Sequence, residues 1–185
     1  MNPKIILLNG ASSSGKSTLS IPLQKILEVS TGERYGIVSL DDYLVMSVNK
    51  EIYEDDVFDV SPALCKAAVD MANAQINVII DHVITSKRVF LQLAEALEAC
   101  DVYMIHITCP LHELRRREQQ RGNRFKTMAE ASLQYLFPTK TYDLSIDTFQ
   151  LSTDECAQQI KTALLNKPKA VQTVRYIAEN DLIEN

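Results

Sequence analysis

Short apolar runs separated by amphipathic stretches set the rhythm of this chain. Ile5-Ile6-Leu7-Leu8 is unbroken in its apolarity and reads as a strand covered on both faces. Leu19, Leu23, Ile26 and Leu27 then recur at helical spacing. A bend is expected in that helix at Pro22, which removes an i→i−4 bond. After a turn at Ser30-Thr31-Gly32-Glu33, Tyr35 to Leu40 reads as a second strand, ended by Asp41-Asp42. Asn49 to Val60 is acidic and irregular, which predicts a solvated loop. Ser61-Pro62 predicts a helix start, with a capping hydroxyl followed by proline at the first helical position and Leu64, Ala68 and Met71 inward.

Asn77 to Asp81 is the third strand, and Ser86 caps a helix that turns Val89, Phe90, Leu93 and Leu97 inward. Asp101 to Thr108 is the fourth strand. Leu111 to Arg121 follows as a basic helix stopped by Gly122. A helical stretch runs from Met128 to Leu136, and Leu144 to Asp147 is the fifth strand. Ser152 and Glu155 form a capping box for a last helix through Leu165, closed off by Pro168. Strands alternating with helices predict an α/β fold with a five-stranded, parallel sheet between two helical layers. One domain over residues 1–168 accounts for this pattern, and the tail 169–185 is left without an assignment.

The first strand and helix flank Gly10-Ala11-Ser12-Ser13-Ser14-Gly15-Lys16-Ser17-Thr18, which fits the phosphate-binding loop G-x-x-x-x-G-K-[ST] in the context that motif requires. Strand, glycine-bounded loop and helix together aim backbone N–H groups and a helix N-terminus at one point, where polyphosphate is favoured. Gly10 and Gly15 allow the tight turn, with Ser12, Ser13, Ser14 and Thr18 around the phosphates. Lys16 is placed to reach the terminal phosphates, and the Ser17 hydroxyl to hold Mg²⁺. The fold expected is therefore that of a P-loop NTPase of the nucleotide-kinase type.

Ligands of such sheets sit beyond the carboxyl ends of the strands. Asp41 and Asp42 follow the second strand and Asp81 ends the third, so three chain segments converge on one crevice. Asp41 is the candidate base toward an acceptor hydroxyl, with Asp42 beside it. Asp81 is a candidate for Mg²⁺ or for the acceptor, and His82 for the acceptor pocket. The basic helix carries Arg117 and Arg121 on one face, with Arg124 beyond Gly122. These arginines are candidates to stabilise a transferring phosphoryl group, in a lid spanning about residues 115–130.

Composition narrows the class. The 185 residues include 46% apolar and 23% charged side chains, an ordinary globular balance, and the net charge of −5 argues against a nucleic-acid surface. No apolar run is long enough to span a membrane and the N-terminus does not read as a secretory signal. Cys65, Cys100, Cys109 and Cys156 are widely spaced, as reduced structural thiols in the cytoplasm would be. A monomer or homodimer is expected.

Several stretches resemble the chloramphenicol phosphotransferase-like P-loop proteins: Ile6 through Ser17, Asp41 after the second strand, and Ile79-Ile80-Asp81-His82-Val83. The most specific runs from Cys109 through Arg117-Glu118, Arg121-Gly122 and Arg124 to Tyr142-Asp143 and Asp147-Thr148. The resemblance implies a five-stranded P-loop kinase using ATP and Mg²⁺ to phosphorylate a primary hydroxyl of a small molecule, with Asp41 as base. Where that family often carries a glutamine and a histidine on the acceptor side, this chain has Ala131-Ser132 and Phe137-Pro138. The acceptor thus stays open between a chloramphenicol-like antibiotic and another metabolite. Two other readings stand beside it: a nucleoside or nucleotide kinase, and a nucleotide-binding interaction protein. Near Asp81 only Lys87 and Arg88 are present to receive an anionic acceptor.

Overall fold

The structure is a computed structural model that describes residues 3–44, 52–121, 127–140 and 142–166. In chain order the elements are β1 (Lys4–Asn9), α1 (Lys16–Thr31), β2 (Tyr35–Ser39), α2 (Leu40–Leu44), α3 (Glu54–Asn73) and β3 (Asn77–His82). Then come α4 (Lys87–Ala96), β4 (Asp101–Thr108), α5 (Leu111–Arg121), α6 (Met128–Gln134), β5 (Leu144–Asp147) and α7 (Thr153–Asn166).

All five strands are parallel, in the order β2-β3-β1-β4-β5. The alternation of side chains along β1 explains why its run is apolar throughout. Ile5 and Leu7 face the layer of α3 and α4, where Leu64, Ala68, Phe90 and Leu93 are buried. Ile6 and Leu8 face the layer of α1 and α7, with Leu19, Leu23, Ile160 and Leu164. Two helical layers on one sheet make the three-layer α/β/α architecture of a P-loop NTPase. The strand order reverses about β1, so the loop leaving β1 opens at the carboxyl edge between β3 and β4, where such sheets bind ligands.

The sequence expectation fails at one helix start. α3 begins at Glu54 rather than at Ser61-Pro62, so much of the supposed acidic loop is helical, while residues 49–51 lie outside the described ones. The carboxylates explain it. Glu54, Asp55 and Asp56 occupy the first turn, where negative charge complements the helix dipole. Asp56 Oδ2 also accepts from the Tyr53 N–H at 2.8 Å, in the manner of a capping box. Pro62 is carried inside the helix, beside Ser61, whose hydroxyl turns back to donate to the Val57 carbonyl at 2.6 Å. Pro22 likewise lies inside an uninterrupted α1. No helix among the described residues is long and apolar enough to cross a membrane.

Candidate active site

The loop between β1 and α1 is held in a conformation that points its amides inward. Ser13 sits in the left-handed region at φ 66° and Gly15 at φ 99°, separated by Ser14. Alternation of this kind turns successive N–H groups toward one concavity, an anion-binding nest. For Ser13 the conformation is strained, which places stored strain at the centre of the motif. Gly10 is required for a different reason: a Cβ there would lie 2.3 Å from the Ile107 carbonyl oxygen of β4.

Lys16 is buried, and its Nζ donates to the Gly10 carbonyl at 2.8 Å and the Ala11 carbonyl at 2.9 Å, so its charge stands over the loop. Ser17 Oγ donates to Asp81 Oδ2 at 2.5 Å. Strand alternation puts Asp81 on the α1 side of β3, which is why a hydroxyl from the start of α1 meets it. Among the described residues the buried hydroxyls of Ser13 and Ser14 have no hydrogen-bond partner. Buried donors without partners are costly, and a phosphate would satisfy them.

Two hollows meet at this loop. A small one of about 20 Å³ is lined by Ser12, Ser13, Lys16, Ser17, Asp41, Asp81, Val83 and Arg121. The larger, about 370 Å³, runs away between α5 and the β5–α7 connection, past Thr18, Leu19, Arg117, Gln120, Thr148, Leu151, Thr153 and Cys156. Ser13, Gly15 and Arg121 border both hollows. Asp41 borders the small hollow and does not line the larger, nucleoside-sized one.

Other expected residues fall elsewhere. Asp42 shares the first turn of α2 with Asp41 but is exposed, and it does not line the small hollow. His82 does not face the crevice: it lies on the other face of β3, fully buried, with Nε2 3.3 Å from Ser61 Oγ of α3. Burial, with the Lys16 ammonium adding to it, pushes the His82 imidazole down to about 3. Arg124 and Gly122 lie outside the described residues.

Arg117 is more a strut than a free cation. Nη1 reaches the Ser14 carbonyl at 3.3 Å and Thr148 Oγ1 at 3.1 Å, and Nη2 donates to the Thr148 carbonyl at 2.9 Å. Glu113 accepts from Arg117 Nε at 2.7 Å and from Arg116 at 2.6 and 2.7 Å, and the Arg116 and Arg117 guanidiniums hold its carboxyl down at about 2. Among the described residues no carboxylate pairs with Arg121.

Sequence reasoning missed the residues that hold the loop. Thr148 Oγ1 donates to the Ser14 carbonyl at 2.6 Å, and the Ser12 N–H donates to Ser132 Oγ at 2.8 Å. Glu118 caps α6 by accepting from the N–H groups of Thr127 and Ala129 at 3.1 and 2.8 Å. Asn9 joins three segments, accepting from the Ile84 N–H and donating to the Phe137 carbonyl and the Tyr142 hydroxyl, each at 2.9 Å. Glu118, Ser132 and Thr148 stood in the sequence only within the comparison with the family, without this role, whereas Asn9 carried a signal of its own: a polar residue closing an apolar strand must find partners.

This loop, with a hydroxyl–carboxylate pair beside it and an arginine helix over it on a five-stranded parallel sheet, has the architecture of a P-loop kinase. Residues 3–165 match the family described as "Chloramphenicol phosphotransferase-like protein". The chain belongs to that family. It is 24% identical over 180 residues to a Mycobacterium tuberculosis protein provisionally named an O-phosphotransferase, covering 85% of this chain and 80% of that one. Its fold is similar to that of the APS kinase of Mycobacterium tuberculosis solved with AMPPNP and APS. There the TM-score is 0.72 at 19% identity, over 89% of this chain and 98% of the other. A gluconokinase from Sinorhizobium meliloti is similar at a TM-score of 0.61 and 15% identity, over 100% and 98% of the two chains.

Proposed function

We propose that this protein is a small-molecule O-phosphotransferase that moves the γ-phosphate of ATP to a hydroxyl group. One observation carries the reading: Lys16, Ser17, Asp81 and Asp41 border a single hollow at the end of the phosphate loop, and none of the four lines the nucleoside-sized crevice. The triphosphate would lie along the loop amides and the Ser13 and Ser14 hydroxyls, with Lys16 leaving the Gly10 and Ala11 carbonyls for the terminal phosphates. Ser17 and Asp81 offer hard oxygen donors at one point, a set that suits Mg²⁺. Bound there, the ion would supply neutralising charge to the phosphates.

The acceptor hydroxyl gives its proton to the Asp41 carboxylate as its oxygen bonds to the γ-phosphorus. The bond to the β–γ bridging oxygen breaks, and ADP leaves. Arg121, bordering both hollows, would meet the charge spread over the phosphoryl oxygens.

Family membership and the provisional naming of the relative support phosphoryl transfer. The test is Mg-ATP consumption with and without chloramphenicol and a panel of hydroxylated metabolites and nucleosides. Stimulation by one compound, with a product heavier by one phosphoryl group, is the expected result. ATP binding with no stimulated turnover across a broad panel would overturn it in favour of a nucleotide-binding interaction protein.

A further inference from the structure

The crevice beyond the loop has room for a nucleoside, and its walls show how that nucleoside would be read. Adenine and guanine differ along one edge: adenine presents an amino donor beside a ring acceptor, guanine a carbonyl acceptor beside ring and amino donors. A site tells them apart only by fixing a complementary donor or acceptor against that edge.

The β5–α7 connection, which forms one wall, has its amide donors already taken. The Thr148 N–H donates to the Thr108 carbonyl at 3.1 Å, and that of Leu151 to the Asp147 carbonyl at 3.2 Å. The amides of Phe149 and Gln150 both donate to Asp147 Oδ1, at 2.8 and 3.4 Å. The Ser152 N–H donates to Glu155 Oε2 at 2.8 Å. Five consecutive amides are thus engaged within the protein, and no donor among them remains for the ring nitrogen of adenine.

Guanine fares no better. Its paired N–H donors call for a carboxylate, and among the described residues none lines the crevice. Of the remaining polar side chains, Arg121 also borders the small hollow at the phosphate loop, and the Thr18 hydroxyl, the Gln120 amide and the Thr153 hydroxyl each donate and accept. Leu19 and Leu151 offer apolar contact. Arg117 has four of its five N–H groups engaged by Glu113, Ser14 and Thr148, leaving its planar face and one Nη2 N–H, which the N7 acceptor common to both purines could take.

Resting on the nucleotide-dependent reading above, we propose that the donor site is purine-indifferent, taking ATP and GTP with affinities within about tenfold of each other, the equivalent of one neutral hydrogen bond. Triphosphate contacts with the loop supply most of the affinity, and the ring is held by its faces rather than by the edge that distinguishes the purines.

Binding can be measured on the full chain without knowing the acceptor. A ribose-labelled fluorescent ATP is bound in the presence of Mg²⁺ and displaced by ATP, GTP or inorganic tripolyphosphate. The expected result is that ATP and GTP displace it within about tenfold of each other, both more tightly than tripolyphosphate. A preference for either purine beyond that span overturns purine indifference while leaving the kinase reading intact. Equal displacement by tripolyphosphate overturns the placement of the nucleoside in the crevice. Failure of the labelled ATP to bind removes the nucleotide-dependent reading itself.

Discussion

Lys16 and Asp41 border the same small hollow yet play separable parts in the proposed reaction. The Lys16 ammonium is held on two loop carbonyls at the place where the terminal phosphates would lie. Replacing it removes charge needed by ground state and transition state alike, so Lys16→Ala is expected to abolish both nucleotide binding and turnover. Asp41 lines the same hollow from α2, and in the proposed reaction it meets the acceptor rather than the nucleotide. Asp41→Asn keeps its size and loses its basicity. Nucleotide affinity should stay near wild type while transfer falls by about a hundredfold or more, the lower range for a lost general base. Titration of nucleotide binding alongside single-turnover rates checks both. An Asp41→Asn enzyme with an undiminished rate would take the base role away from Asp41.

Elements decide how well the loop is held, and the β5–α7 connection holds it through one hydroxyl. Thr148 Oγ1 donates to the Ser14 carbonyl and receives Arg117, which Glu113 anchors on α5. Thr148→Val keeps the shape and removes both bonds, leaving the Ser14 carbonyl to Arg117 alone. We expect a stability loss of about 1 kcal/mol in urea unfolding, as for a lost hydrogen bond whose acceptor keeps another donor. The KM for nucleotide should rise while kcat changes less, because Thr148 shapes the cradle and touches no reacting atom. A reduced kcat at unchanged KM would contradict that role.

At this scale much was legible in the sequence: β4, β5 and α5 fall where the pattern puts them, β4 because its middle, Val102 to Ile105, is an apolar run buried throughout. The start of α3 was not. Serine followed by proline looks like a helix opening, but three carboxylates upstream provide a stronger one. The phosphate loop was legible because its chemistry is local in sequence. Its props were not, since Thr148 and Ser132 lie more than a hundred residues from the loop atoms they hold.

The whole molecule joins the site to its stability through His82. The residue after Asp81 must point to the opposite face of β3, so a sheet that delivers a carboxylate to the crevice also drives this imidazole into the α3 layer. Ser61 gives its proton to the Val57 carbonyl, so His82 Nε2 carries the proton toward Ser61 Oγ, and the ring is neutral. Burial, reinforced by Lys16, lowers its titration from the usual 6.5 to about 3. Between those values the unfolded chain binds a proton that the folded protein does not. Stability is therefore fully present above pH 6.5 and is lost as the pH falls toward 3, by up to ~1.4 kcal/mol per pH unit from this one group. His106, also lowered by burial, acts in the same sense in wild type and variant and cancels in the comparison. His82→Gln retains an N–H for Ser61 and has no titration in this range. Urea unfolding of both proteins at pH 7 and pH 5 should show the wild type losing about 2 kcal/mol more than the variant over that interval. Equal losses would mean that the imidazole already shares its proton in the fold, and that α3 is not packed against a neutral ring.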